Sequence, residues 1–172
     1  MSKSKIALVT GANRGIGNEI LKSLVKNDFT VIGTSRTPEG VAIIENSLAD
    51  QNGVGCGFVF DVTDKNKLSD LNLSIKDKYG NVSILVNNAG ITMDNLLIRM
   101  SDDEWDNVIN TNLTSVYRIT REFIKDMIKE KTGKIMMISS VAAFAPPSSI
   151  QTLYGPVKTF INRFSEGLNL SY

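Results

Sequence analysis

Five short, nearly unbroken apolar runs punctuate the chain: KIALVT (5–10), FTVIGTS (29–35), GFVFDV (57–62), SILVNNAG (83–90) and KIMMIS (134–139). A strand with one wet face alternates polar and apolar residues. These runs do not, which marks strands covered on both faces, as in a parallel sheet. Between them, apolar positions recur at helical spacing. Ile16, Ile20, Leu21, Leu24 and Val25 form one stripe, Leu68, Leu71 and Ile75 another, and Val41, Ile44 and Leu48 a weaker one within 39–50. Ser101, followed by Asp102, Asp103 and Glu104, has the chemistry of an N-cap with acids in the first turn. It predicts a long helix ending near Gly133, with Trp105, Val108, Ile109, Val116, Ile119 and Phe123 as its buried stripe. A last helix is expected from near Thr152, packing through Val157, Phe160, Ile161, Phe164 and Leu168. Strand and helix in alternation imply right-handed crossovers and an α/β fold built on a doubly wound parallel sheet. No repeat or linker interrupts the pattern, so residues 1–172 are expected to form a single domain.

Composition narrows the chemistry more than the fold. Lys and Arg total 19 against 18 Asp and Glu, a formal +1, which leaves no basic footprint for nucleic acid or a membrane surface. No apolar run approaches the ~20 residues of a membrane span. The run after MSKSK is too short for a signal peptide. The sequence contains no His, which excludes a Ser-His-Asp triad and a His-ligated zinc. Cys56 is alone, so no internal disulfide forms and no metal site is expected. A reducing, cytoplasmic setting fits this usage. Proton chemistry falls to Tyr, Lys, Asp, Glu or Ser.

TGANRGIG (10–17) sits between the first strand and the first helix. Gly11, Gly15 and Gly17 permit a tight turn and close approach of a ligand, and the helix behind them offers free N–H groups to a pyrophosphate. The spacing is Gly-x3-Gly-x-Gly rather than the more common Gly-x-Gly-x-x-Gly. An NAD site usually carries an acid at the end of the second strand, bonding the ribose 2′-hydroxyl. Here that place reads GTSRTPEG, with Arg36 present and no acid before Glu39. Arg14 in the glycine loop and Arg36 together suit a 2′-phosphate, which favours NADP(H).

TLYGPVKTF (152–160) places Tyr154 and Lys158 four residues apart on the last helix. Side chains at that spacing stack about 5–6 Å apart on one face. At ~6 Å and an effective dielectric near 20, an ammonium favours a phenolate by roughly 2–3 kcal/mol. That makes a tyrosine a usable proton donor near neutrality. Asn112 falls in the middle of the long helix's apolar stripe, where a buried amide costs roughly 1–3 kcal/mol unless bonded. It therefore needs a partner or a role.

The glycine pattern, FDVTD (60–64), NNAG (87–90), Asn112 and Tyr-x3-Lys together resemble the short-chain dehydrogenase/reductase family. NNAGITMDNLLIRM (87–100) and NVINTNLTSVYRIT (107–120) are similar to its 3-oxoacyl-acyl-carrier-protein reductases. The resemblance implies a Rossmann-type sheet of strand order 3-2-1-4-5. It places Gly11, Asn13, Arg14, Gly15, Ile16, Gly17 and Arg36 on the cofactor, Asp61 and Val62 beside the adenine, and Asn88, Ala89 and Gly90 along the nicotinamide ribose. By the same resemblance Ser140 binds the substrate carbonyl, Lys158 also holds the ribose hydroxyls, Tyr154 gives the proton, and Asn112 bends its helix and anchors a water. A carrier-linked or small-molecule acyl substrate and a homodimer or homotetramer are likewise implied. Lys125, Lys129 and Lys131 are candidates to meet an acidic acyl carrier protein.

Two departures accompany the resemblance. Family members continue beyond the point where this sequence stops, which implies a sheet lacking the family's last strands, a bare outer side on strand five, and no substrate lid. The stretch SSVAAFAPPSSIQTLYGPVK has one residue more between Ser140 and Tyr154 than the reductases it resembles, with Pro146 and Pro147 in the loop. Ser139 is the alternative to Ser140. Three readings therefore stay open: a 3-oxoacyl thioester reductase, a reductase or dehydrogenase of another carbonyl or alcohol, and a nucleotide-binding module without turnover.

Overall fold

The computed structural model describes residues 5–146 and 152–171; Pro147, named above, lies outside the described residues. Strands β1 (Ile6–Val9), β2 (Thr30–Ser35), β3 (Gly55–Val59), β4 (Ile84–Asn87) and β5 (Lys134–Met137) are all parallel, in the order β3-β2-β1-β4-β5. Helices α1 (Gly15–Lys26), α2 (Pro38–Ala49), α3 (Leu68–Lys78), α4 (Asp102–Ile109), α5 (Ser115–Glu130) and α6 (Tyr154–Ser171) occupy the connections and the end. The pleat sends Leu8, Ile32 and Leu85 into one core with Leu71, Ile75, Ile119 and Phe123 of α3 and α5. Val9, Val31 and Val86 enter a second core with Leu21, Val25, Ile44 and Leu48 of α1 and α2. Both faces of the central strands β1 and β2 are covered, which is why their sequences lack alternation, whereas β5 leaves Lys134 and Met136 exposed.

The α3–α5 contact is also registered by polar pairs. Asn72 donates to Glu122 at 3.1 Å, Lys76 to Asp126 at 3.1 Å and, just past the end of α3, Asn81 to Glu130 at 2.6 Å. β5 pairs only with β4, so its far side is bare among the described residues. An open groove of about 1050 Å³ runs beside it, lined by Ile20, Leu24, Met136 and Leu168 among others.

The structure departs from the sequence pattern at several places. The long helix is not continuous: α4 and α5 are joined by a π-helical turn, Asn110–Thr114. Ser101 does cap α4, accepting from the Glu104 N–H at 3.2 Å while the Glu104 carboxylate accepts from the Ser101 N–H at 2.8 Å. α5 ends at Glu130, and Lys131 takes the left-handed conformation at φ +53. Gly133 instead makes room for Met127. β3 stops at Val59 because Asp61 folds back, its Oδ1 accepting from the N–H and hydroxyl of Thr63 at 2.8 and 2.7 Å. α6 starts at Tyr154, so Pro156 falls in its first turn, where a missing N–H costs little. Ile16, Trp105 and Phe160, expected inside, are exposed.

Candidate active site

The loops after β1 and β4 are stitched together by side chains. The Thr10 hydroxyl oxygen accepts from the N–H groups of Asn88 and Ala89, both at 3.0 Å, and donates to the Val86 carbonyl at 3.3 Å. Asn88 Nδ2 returns bonds to the carbonyls of Thr10 and Gly11 at 2.8 and 3.1 Å. A Cβ on Gly17 would lie 2.4 Å from that Nδ2 and 2.4 Å from the Gly11 oxygen, so only glycine lets α1 start here. Gly15 has open space around it but a φ of +52, and is there for its backbone. Arg14 is the N-cap of α1 with extended backbone, and no side chain caps the helix. First-turn N–H groups thus remain for an anion, as a pyrophosphate requires.

These elements border one cleft of about 880 Å³. Gly11, Asn13, Arg14, Gly15, Ile16, Gly17, Arg36, Asp61, Val62, Asn88, Ala89 and Gly90 all line it. So do Ser35, Thr37, Thr63, Asn107 and Thr111, which lie within the quoted motifs but carry no assigned role there. Ile16 is exposed because it belongs to this wall rather than to the core behind α1. Asn18 takes the core side, donating to the Ala12 carbonyl at 3.1 Å and to Ser47 Oγ at 3.0 Å. Its signal in the sequence is a polar residue on the same helical face as Leu21 and Val25.

Tyr154 and Lys158 meet as their spacing predicts, with Lys158 Nζ 5.7 Å from the Tyr154 ring centroid. The amine is buried and donates to the Ile138 carbonyl, just past β5, at 2.7 Å. Burial holds the Lys158 pKa below the ordinary lysine value, because the charged form loses its water. Leu153 and Val157, flanking the pair, pack on Val108 in a cluster edged by Ile91, Met93 and Leu113. Asn112 is buried with both amide atoms bonded: Oδ1 accepts from the Ile91 N–H at 2.9 Å, and Nδ2 donates to the Ile91 carbonyl at 2.7 Å. It clasps the segment after Asn88-Ala89-Gly90 to the π-turn.

Ser140 Oγ accepts from the Ala142 N–H at 3.2 Å, capping a short 3-10 turn, Val141–Ala143, and keeps its hydrogen to donate. The Ser139 hydroxyl is turned toward α6, 3.5 Å from the Lys158 carbonyl. Of the two, Ser140 has the freer hydroxyl. Thr159 ties the turn to α6 by donating to the Ala143 carbonyl at 3.1 Å. Ser140, Tyr154 and Lys158 do not themselves line the cleft. Asn112, through Ile91, links the two groups. Among the described residues no cluster of three or more acidic or Cys side chains has the arrangement to hold a metal ion.

A family model described as short chain dehydrogenase matches residues 5–172. The 3-oxoacyl-acyl-carrier-protein reductase FabG of Vibrio harveyi is 42% identical over 166 residues, 96% of this chain and 66% of the relative. That of Haemophilus influenzae is 43% identical, over 96% of this chain and 67% of the relative. The chain thus spans about two thirds of the length of the curated relatives it matches. Among solved structures, an actinorhodin polyketide ketoreductase variant with NADPH superposes with a TM-score of 0.95 at 31% identity, covering 99% of this chain and 66% of that one. A serine dehydrogenase from Escherichia coli gives 0.88 at 29% identity, covering 96% and 76%. A family model matching from Lys5 to Tyr172 and relatives above 40% identity show the lineage: the chain belongs to the short-chain dehydrogenase family.

Proposed function

We propose that this protein binds NADP(H) in the cleft and reduces a ketone, a 3-oxoacyl thioester first among substrates. The observation that carries the reading is the buried Lys158 ammonium held 5.7 Å from the Tyr154 ring. When bound, the nicotinamide supplies hydride to the carbonyl carbon. Ser140 donates a hydrogen bond to the carbonyl oxygen, and Tyr154 transfers its proton to that oxygen as the C–O π pair moves onto it. The Lys158 charge stabilises the tyrosinate left behind. Arg14 and Arg36, both exposed at the cleft, favour a 2′-phosphate over a bare hydroxyl. FabG relatives are named for acyl-carrier-protein substrates, which supports a carrier-linked acyl group. Lys125 is paired with Glu122 at 3.0 Å, so Lys129 and Lys131 are the better candidates to meet an acidic carrier. Exposed Trp105, Tyr117 and Phe160 on the long-helix segment and α6 suit a homodimer or homotetramer. A cytoplasmic site of action completes the reading.

The test is NADPH oxidation with an acetoacetyl thioester, run beside a fluorescence titration with NADPH. Turnover is expected; absence of both turnover and binding sinks the reading. A second reading, nucleotide binding without turnover, is favoured by one feature: Val141 and Phe144, beside Ser140, are 83% and 81% exposed, so no described residue walls them on the substrate side. Binding with no oxidation of NADPH would select it.

A further inference from the structure

The α4 side of the cleft carries polar groups that neither the motifs nor the proposed reaction uses. Asn107 and Thr111 stand one helical turn apart and line the same space as Asp61, Val62 and Thr63. No described residue hydrogen-bonds the Asn107 carboxamide. The two polar pairs between α3 and α5, Asn72–Glu122 and Lys76–Asp126, each join residues 50 positions apart. So steady a separation means that the two helices run side by side in the same direction. Leu68, the first residue of α3, is then level with Arg118, so the π-turn with Thr111 extends past the start of α3, on the side from which Asp61, Val62 and Thr63 lead into it. Asn107 lies one turn further out.

That placement defines a slot with a particular chemistry. Val62 is buried and apolar, suited to the flat face of a base. Asp61 has one oxygen committed to Thr63, which fixes the orientation of its carboxylate. Asn107 adds one acceptor and an NH₂ donor on a single planar group. A carboxamide of that kind matches the adjacent donor and acceptor on the imidazole side of an amino-purine, accepting from the exocyclic amine and donating to the imidazole nitrogen N7. A purine with a carbonyl at that position offers two acceptors instead, so one bond is lost and two oxygens face each other.

We infer that Asn107 is a specificity-determining residue which reads the amino edge of the dinucleotide's purine. The inference rests on the proposed binding of NADP(H) in this cleft. The test compares NADPH with its hypoxanthine analogue, in which the amine is replaced by oxygen, by fluorescence titration of wild type and Asn107→Ala. Asn107 is exposed and its removal leaves the core intact. Wild type is expected to prefer NADPH, and the variant to lose about 5–10-fold in NADPH affinity while binding the analogue within about twofold of wild type. Equal weakening toward both dinucleotides, or no change toward either, overturns the role of Asn107 while leaving the cofactor reading standing. No binding of NADPH by wild type overturns both.

Discussion

Asn112 permits a prediction with a magnitude worked from geometry. Its amide makes two bonds to one residue, Ile91, at 2.9 and 2.7 Å. A hydrogen bond contributes a net ~1 kcal/mol, and stranding a buried backbone partner costs ~1–3 kcal/mol. Ile91 is half-buried, which places its two groups at the low end. Asn112→Ala is therefore expected to lose about 2–4 kcal/mol, lowering Tm by about 5–15 °C at ~2–4 °C per kcal/mol for a chain of this size. Urea unfolding followed by fluorescence gives the free energy, and a thermal melt gives Tm. A loss below about 0.5 kcal/mol would show that the clasp bears no weight.

Asn112→Asp separates the two bonds. Its carboxylate can still accept from the Ile91 N–H but faces the Ile91 carbonyl with a second acceptor, whereas the protonated acid can donate to it. Burial beside a carbonyl raises the folded pKa of the introduced acid above its unfolded value of ~3.9. The bond to the carbonyl is then fully present below ~3.9 and is lost as pH rises through the higher folded value. The stability gap between this variant and wild type should widen from pH ~4 to 7. A gap that stays flat refutes the donor role of Nδ2.

Three other outcomes follow from the site. Gly17→Ala should weaken NADPH binding at least about tenfold, because its Cβ meets the Gly11 oxygen and Asn88 Nδ2 at 2.4 Å; calorimetric titration reads this, and wild-type affinity would refute the account of the loop. Lys158 is disfavoured as an ammonium in the folded state, so below its lowered folded pKa it subtracts stability, and that penalty is relieved as pH rises toward 10.5. Wild type should therefore gain stability relative to Lys158→Met across that window in denaturant titrations, and parallel pH profiles would count against it. Arg36→Leu should lower the preference for NADPH over NADH by roughly tenfold or more, since a charge-assisted bond is worth about 1.5–3 kcal/mol; an unchanged ratio of dissociation constants would remove Arg36 from the phosphate site.

Much of this molecule is legible in one dimension. Unalternating apolar runs marked five strands, and their alternation with helical stripes dictated a parallel, doubly wound sheet, although β5 is covered less fully than its run implies. The i, i+4 spacing alone brought Tyr154 and Lys158 together, and glycine spacing alone placed a turn before α1. Each of these follows from backbone geometry within a few residues, which sequence order carries directly. What the folded chain decided lies across long separations. Asn88 reaches Thr10 across 78 positions, Asn112 reaches Ile91 across 21, and Lys158 reaches Ile138 across 20. The π-turn accompanies the second of these contacts, and the burial of the lysine accompanies the third. Ile16, Trp105 and Phe160 satisfy a helical stripe yet face outward. A stripe says which residues share a helix face, but only the neighbours that fold against it decide how wide a sector of that face leaves water.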